Sequence, residues 1–128
     1  MSHPNSAAAL RAAADRLVNR VSHWTPARWE RPVRADLDAS GPPIAVSSPA
    51  VALTRADLVF GLVQELADLA AQVEARPRRD VPRLDNKLAL PDQVRVMVAD
   101  LLAADPPTEM VHAATATVDA ATRALQSA

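Results

Sequence analysis

Three histidines and a few acidic side chains are the groups in this sequence that could bind a metal ion. The histidines, His3, His23 and His112, are far apart, and no HxxxH or ExxH pair places two ligands on one helical face. Glu65 and Asp68 share a face at a spacing of three, but no histidine accompanies them. The sequence therefore predicts no metal site, and these acids are expected at the solvated surface.

Nucleophilic catalysis is not indicated either. The chain contains no cysteine and no G-x-S-x-G motif. Ser22 and His23 are neighbours in sequence, and adjacent residues on a helix do not face each other. Gly41 and Gly61 are too far apart to form a glycine-rich phosphate loop. These observations favour a non-catalytic protein without a cofactor.

The segment "SHWTPARWERP", residues 22 to 32, is the first candidate for a binding site. It holds both tryptophans, and aromatic walls with a few polar groups are typical of small-molecule sites. The candidate ligand-binding residues are Trp24, Trp29, His23, Arg28 and Arg31. The alternative is a structural corner, in which Trp24 continues the apolar seam of the first helix and His23 is exposed. No seam accounts for Trp29.

A run of cations after the second predicted helix is the second candidate. It consists of Arg76, Arg78, Arg79, Arg83 and Lys87. Such residues can bind an anion, or they can complement the negative end of the helix dipole. Nucleic acid is disfavoured, because aspartates interrupt the run and no aromatic side chain lies nearby to stack on bases. The whole chain, with 14 basic and 15 acidic residues, also lacks an excess of positive charge.

Composition and apolar spacing predict an all-α protein. Apolar residues make up 49% of the chain and aromatic residues 2%, with only two glycines, so alanine, leucine and valine must form the core. Apolar seams with alternating spacings of three and four predict four helices in one domain, residues 1–128. The predicted elements are helices at about 6–24, 54–75, 90–104 and 107–126, with a short helical turn at 26–30.

A proline-rich stretch separates the first two long helices. Residues 31–53 contain four prolines and the turn signal "ASGPP". A connection of this length is uncommon in a compact domain, so it is expected to be a functional lid or a structural strap. The predicted fold is thus a four-helix bundle with a long irregular loop.

Gly61 lies in the middle of the most strongly patterned helix. Glycine there costs about 1 kcal/mol relative to alanine. Close packing of a neighbouring backbone or ring is the favoured explanation, and space for a ligand is the alternative.

The order of "HWTPARWERP", a long loop and "LTRADLVFGLVQELADL" resembles the DinB and mycothiol-dependent maleylpyruvate isomerase-like bundles. In that family a segment similar to "WTVRDLVAHL" opens the second helix and supplies a metal-binding histidine. The resemblance covers about residues 8 to 75, and it places Leu53 at the Trp, Asp57 at the Asp and Gly61 at the His. Because that histidine is absent, the resemblance implies a relative without the metal and without the family's activity.

The leading functional hypothesis is a small bundle that acts by protein–protein interaction or as a homodimer, through alanine-rich seams on the first and last helices. One alternative is a small-molecule site, or a DinB-like enzyme, at the Trp24 and Trp29 end. Another is anion or nucleic-acid binding through Arg76–Lys87. No stretch reaches 18 apolar residues and no signal-peptide core is present, which predicts a cytoplasmic protein without a membrane partner. The alanine and arginine content is typical of a GC-rich bacterial genome.

Overall fold

The computed structural model describes residues 4–33, 53–83 and 86–126. These ranges form helices and contain no β-strand beyond one isolated bridge, which confirms the predicted all-α class. The elements are α1 (Pro4–Val21), α2 (Pro26–Trp29), α3 (Arg55–Val73), a 3-10 turn (Lys87–Ala89), α4 (Leu90–Ala103) and α5 (Thr108–Gln126). Within these ranges, no helix combines the length and the apolar character needed to cross a membrane.

The four long helices form a bundle in which α1 and α5 run one way and α3 and α4 run the other. The α1 helix packs against α5 and α4, and α3 packs against α4 and, less extensively, α5. Ser6 contacts His112 near the starts of α1 and α5, and Arg16 contacts Asp119 further along both helices. The end of the bundle where α1 and α5 finish, and where α2 and the starts of α3 and α4 lie, is called the tryptophan end below.

The core is built from the seams that the sequence shows. In α1 and α5 the predicted positions are buried, namely Leu10, Ala14, Leu17, Val21, Val111, Ala114, Val118, Ala121 and Leu125. In α3 the apolar spacing predicts a stripe of Leu58, Leu62, Leu66, Leu69 and Val73, widened by Val59, Phe60, Val63 and Ala70. The buried side of the helix lies toward Val59, Val63 and Ala70. Leu62 and Leu66 are buried as expected, whereas Leu58, Leu69 and Val73 only border the core. This helix is apolar over much of its circumference, so its tertiary contacts decide which side faces inward.

The bounds of the first predicted helix need correction. It begins at Pro4 instead of about Ser6, and it ends at Val21 instead of Trp24. Proline suits a first turn because its missing N–H would have no helical partner. The other three long helices match their predicted bounds within two residues. Thr54 caps α3, with reciprocal hydrogen bonds to Asp57 that form a capping box.

The ends of the predicted proline-rich loop are held together. The Val33 N–H donates to the Leu53 carbonyl at 2.8 Å, and the Arg55 N–H donates to the Arg31 carbonyl at 2.9 Å. Pro32 and Thr54 form the isolated antiparallel bridge between them. Residues 34–52 lie outside the described residues, so the prediction of a lid or a strap is not tested.

Residues 76–83, here called the return segment, lead from the end of α3 back along that helix. Arg78 pairs with Asp68 at 3.0 Å, and Arg83 pairs with Asp57 in the first turn of α3. The chain therefore enters α4 at the tryptophan end, which makes α3 and α4 parallel.

Candidate functional site

Trp24 and Trp29 pack against each other where the chain leaves α1. Thr25 caps α2 by accepting a hydrogen bond from the Arg28 N–H. This turn places both rings at the tryptophan end of the bundle. Their centroids are 5.0 Å apart at an interplanar angle of 65°, a favoured edge-to-face arrangement. Trp24 is 4% exposed, which confirms it as a core residue, and Trp29 is fully buried.

Two guanidinium groups lie over Trp24. The Cζ atoms of Arg28 and Arg55 are 4.8 and 5.0 Å from the ring centroid, within the range of a cation–π interaction. Arg28 is exposed, whereas Arg55 is buried at 4% exposure. The tryptophan pair is thus covered by cations contributed by α2 and by the first residue of α3.

Arg55 is in an unusual environment for a charged side chain. Its Nε and Nη1 atoms are buried and have no hydrogen-bond partner in the described part of the chain. Burial, together with the nearby charges of Arg28 and Arg31, lowers the pKa of Arg55 below its ordinary value. The N-terminus of α3 adds a further partial positive charge at this position.

The acids closest in sequence to these arginines already have other partners. Glu30 pairs with Lys87, and Asp57 pairs with Arg83. The backbone N–H of Thr54 is the main cause of a lowered pKa at Asp57, and Arg83 adds to it. Both carboxylates are therefore committed to the capping of α3 and to the contacts of the 3-10 turn and the return segment.

An open groove of about 640 Å³ lies between α1 and α5 at the same end of the bundle. Its lining includes four arginines, one histidine and one aspartate, namely Arg16, Arg20, Arg28, Arg123, His23 and Asp119. Asp119 accepts a hydrogen bond from Arg16 at 3.0 Å. With the histidine neutral, the lining carries three more positive than negative charges, although the chain as a whole has a formal charge of −1.

The structure brings together most of the residues proposed from "SHWTPARWERP". His23 is exposed, as expected, and lines the groove with Trp24 and Arg28. Trp29 lies behind Trp24 in the core, where it cannot form an open wall. Arg31 is exposed, and its carbonyl accepts a hydrogen bond from the Arg55 N–H at the start of α3.

Four arginines of this region are not among the site residues predicted from the sequence. Arg16, Arg20 and Arg123 lie on helix faces that the sequence marks only as solvated, and Arg55 follows the capping threonine. The spacing of four between Arg16 and Arg20 does place them on one face. Nothing local indicates that α5 lies beside that face.

The cations after α3 are largely engaged within the chain. Arg76 pairs with Glu74, Arg78 pairs with Asp68 and Asp80, Arg83 pairs with Asp57, and Lys87 pairs with Glu30. Arg79 has no ion pair among the described residues, but its carbonyl accepts a hydrogen bond from Gln64. Two of these cations, Arg78 and Arg83, hold the return segment against α3.

A serine–histidine contact occurs at the opposite end of the bundle. The Ser6 Oγ is 3.2 Å from the His112 Nε2, although 106 residues separate them in sequence. Ser6 is buried, so this contact joins the starts of α1 and α5 without presenting the hydroxyl to a substrate. No group of three or more metal-ligating side chains occurs among residues 4–33, 53–83 and 86–126.

Comparison with known proteins identifies no relative: no family model matches the sequence, and no curated protein or solved structure matches it. The resemblance to DinB-like bundles therefore stays a prediction.

Proposed function

We propose that this protein is a non-catalytic binding module that holds a small anionic ligand in the groove at the tryptophan end. The excess of three positive charges in the groove lining is the observation that carries the proposal. The arginines come from α1, α2 and α5, so the folded bundle concentrates positive charge that is dispersed in the sequence.

The chemistry of the lining favours a ligand with carboxylate or phosphate groups. Guanidinium groups donate short, charge-assisted hydrogen bonds to such oxyanions, often two at a time. A cleft lined by one sign of charge also raises the local concentration of the opposite charge. The volume, about 640 Å³, lies within the roughly 300–1,000 Å³ of ordinary small-molecule sites.

Self-association remains a prediction from the sequence. The alanine seams that motivated it include Ala14 in α1 and Ala114 and Ala121 in α5, which are buried inside the bundle. They are therefore not available as an external surface. Sedimentation equilibrium tests this prediction, and a strict monomer at high protein concentration would count against it.

Calorimetric and thermal-unfolding titrations test anion binding, with inorganic phosphate, succinate and adenosine 5′-monophosphate as probes at constant ionic strength. We expect at least one probe to bind and to raise the unfolding midpoint, as any ligand of the native state does. We expect Arg20→Gln to weaken that binding by about ten-fold, the loss typical of one charged hydrogen bond.

Arg11→Gln is the matched control, because Arg11 is an exposed arginine of the same helix and is not part of the groove lining. It removes the same charge and should leave the affinity nearly unchanged. Equal weakening in both variants would show that the loss of net charge alone explains the weaker binding. The absence of binding by every probe would reject the proposal.

A further inference from the structure

We infer that Arg55, together with Arg28 and Arg31, forms a subsite beside Trp24 that takes one oxyanion group, a carboxylate or a phosphate. The inference rests on the proposed function, because Arg28 belongs both to the groove lining and to this cluster. It assigns the deepest anchoring contact of the ligand to a side chain that does not line the groove.

Arg55 has hydrogen-bond donors without acceptors among the described residues. A guanidinium group has five N–H donors and keeps its proton in proteins. At Arg55 the Nε and Nη1 atoms, which carry three of these donors, are buried without a partner among the described residues. Burying a charge without a partner is costly, so buried charged groups in proteins are normally paired.

The surroundings of Arg55 carry charge of the same sign as its own. Arg28 and Arg31 both act on it electrostatically. It also begins α3, where the helix dipole disfavours a cation. Glu30 and Asp57 pair with Lys87 and Arg83 and do not offset this charge.

The contact with Trp24 does not replace the missing hydrogen bonds. A ring 5.0 Å from the Cζ of Arg55 stabilises the face of the guanidinium group. The N–H bonds lie in the plane of that group and point outward from its edges. These edges are closed to solvent in the ligand-free protein, so an oxyanion has to displace the covering side chains to accept their hydrogen bonds. Once there, it also neutralises the repulsion among the three arginines.

An unfavourable arrangement of this kind is typical of binding sites, where local stability is lower in the absence of the ligand. An apolar side chain of similar length would be the less costly choice for a purely structural position. Arg55→Met provides that side chain. We therefore expect this variant, without added oxyanion, to unfold at the same temperature as the native chain or at a higher one.

Tryptophan fluorescence gives a direct readout, since Trp24 and Trp29 are the only tryptophans of the chain. The native protein is titrated with sodium phosphate, and separately with sodium acetate, with ionic strength held constant by sodium chloride. We expect a saturable change with at least one of the two salts, and the stronger response identifies phosphate or carboxylate as the preferred group. In Arg55→Met the affinity should fall about ten-fold or more.

Arg55→Lys keeps the charge but loses the planar arrangement of donors, so it should also bind more weakly. It serves as the second variant if Arg55→Met does not fold. A lower unfolding midpoint for Arg55→Met, together with unchanged oxyanion affinity, would overturn the subsite and leave Arg55 a structural residue. Unchanged affinity in both Arg55 variants would overturn it as well.

The groove variant separates the two proposals. Weaker binding in Arg20→Gln with unchanged binding in Arg55→Met supports the groove and overturns the subsite. The reverse result supports the subsite and shows that Arg20 does not contribute to binding in the groove. A native protein whose tryptophans respond to neither salt overturns the subsite, while the calorimetric probes decide the groove independently.

Discussion

The side chain of Gln64 hydrogen-bonds to the backbone on both sides of Asp80. Its Oε1 accepts the Val81 N–H at 2.7 Å, and its Nε2 donates to the Arg79 carbonyl at 2.9 Å. The Gln64 amide thus satisfies one backbone N–H and one backbone carbonyl of the return segment. Since this segment carries the chain back to the tryptophan end, the contact helps to decide that α3 and α4 are parallel.

We expect Gln64→Leu to lower the free energy of unfolding by about 1–2 kcal/mol, because the part-buried Val81 N–H loses its acceptor. Urea unfolding measures the change, and amide exchange at Val81 should accelerate. Gln72→Leu is the control, since Gln72 is an exposed residue of the same helix. Its effect should stay within about 0.5 kcal/mol. Equal losses in the two variants would contradict the role given to Gln64.

The capping carboxylate Asp57 should make stability depend on pH in the acid range. Its folded pKa lies below the unfolded value, mainly because of the Thr54 N–H, so the unfolded state binds the proton more tightly. The contribution is complete above the unfolded pKa of about 3.9 and is lost as pH falls through the folded pKa. Asp57→Asn should therefore cost about 1 kcal/mol at pH 7 and progressively less below about pH 4.

Urea unfolding of the native chain and of Asp57→Asn between pH 2 and pH 7 measures this difference. Thr54→Ser keeps the reciprocal hydrogen bonds and serves as the conservative control. A difference between the native chain and Asp57→Asn that stays constant across the pH range would contradict the assignment.

Ala75 ends α3 in a left-handed conformation, with φ of 54°. The Arg76 N–H donates to the Ala71 carbonyl and the Ala75 N–H to the Gln72 carbonyl, which is the Schellman arrangement. Glycine adopts this conformation without the strain that alanine carries, although it loses more backbone entropy on folding. We expect Ala75→Gly to raise the midpoint of thermal unfolding, equivalent to about 0.5 kcal/mol. A lower midpoint would show that the strain is small.

Gly61 has no close neighbour, which corrects the packing explanation favoured by the sequence. A Cβ built there meets nothing within 4 Å among the described residues, and the residue borders an open groove between α3 and α5. We expect Gly61→Ala to stabilise the protein by about 0.5–1 kcal/mol, because alanine favours the helix and restricts the unfolded chain. Chemical denaturation checks the sign. A destabilised variant would restore the packing explanation.

The sequence by itself determined the helical elements, because their signals are local. Each signal depends on residues within a few positions of one another. Examples are the seam from Leu10 to Val21, the start of α2 at Thr25-Pro26 and the capping box of Thr54 and Asp57. Trp24 could be placed in the core for the same reason, since it continues the seam of α1. Trp29 could not, because it is enclosed only after the chain folds, where α2 packs against α3 and the 3-10 turn.

Tertiary structure alone decided which helix faces meet. Arg20 and Arg123 look like ordinary solvated residues in sequence, and they share a groove because α1 and α5 are parallel neighbours. Arg55 is buried because α2 and Trp24 cover the start of α3. A periodic pattern specifies that a face is apolar or polar, whereas its partner depends on long-range packing that neighbouring residues do not encode.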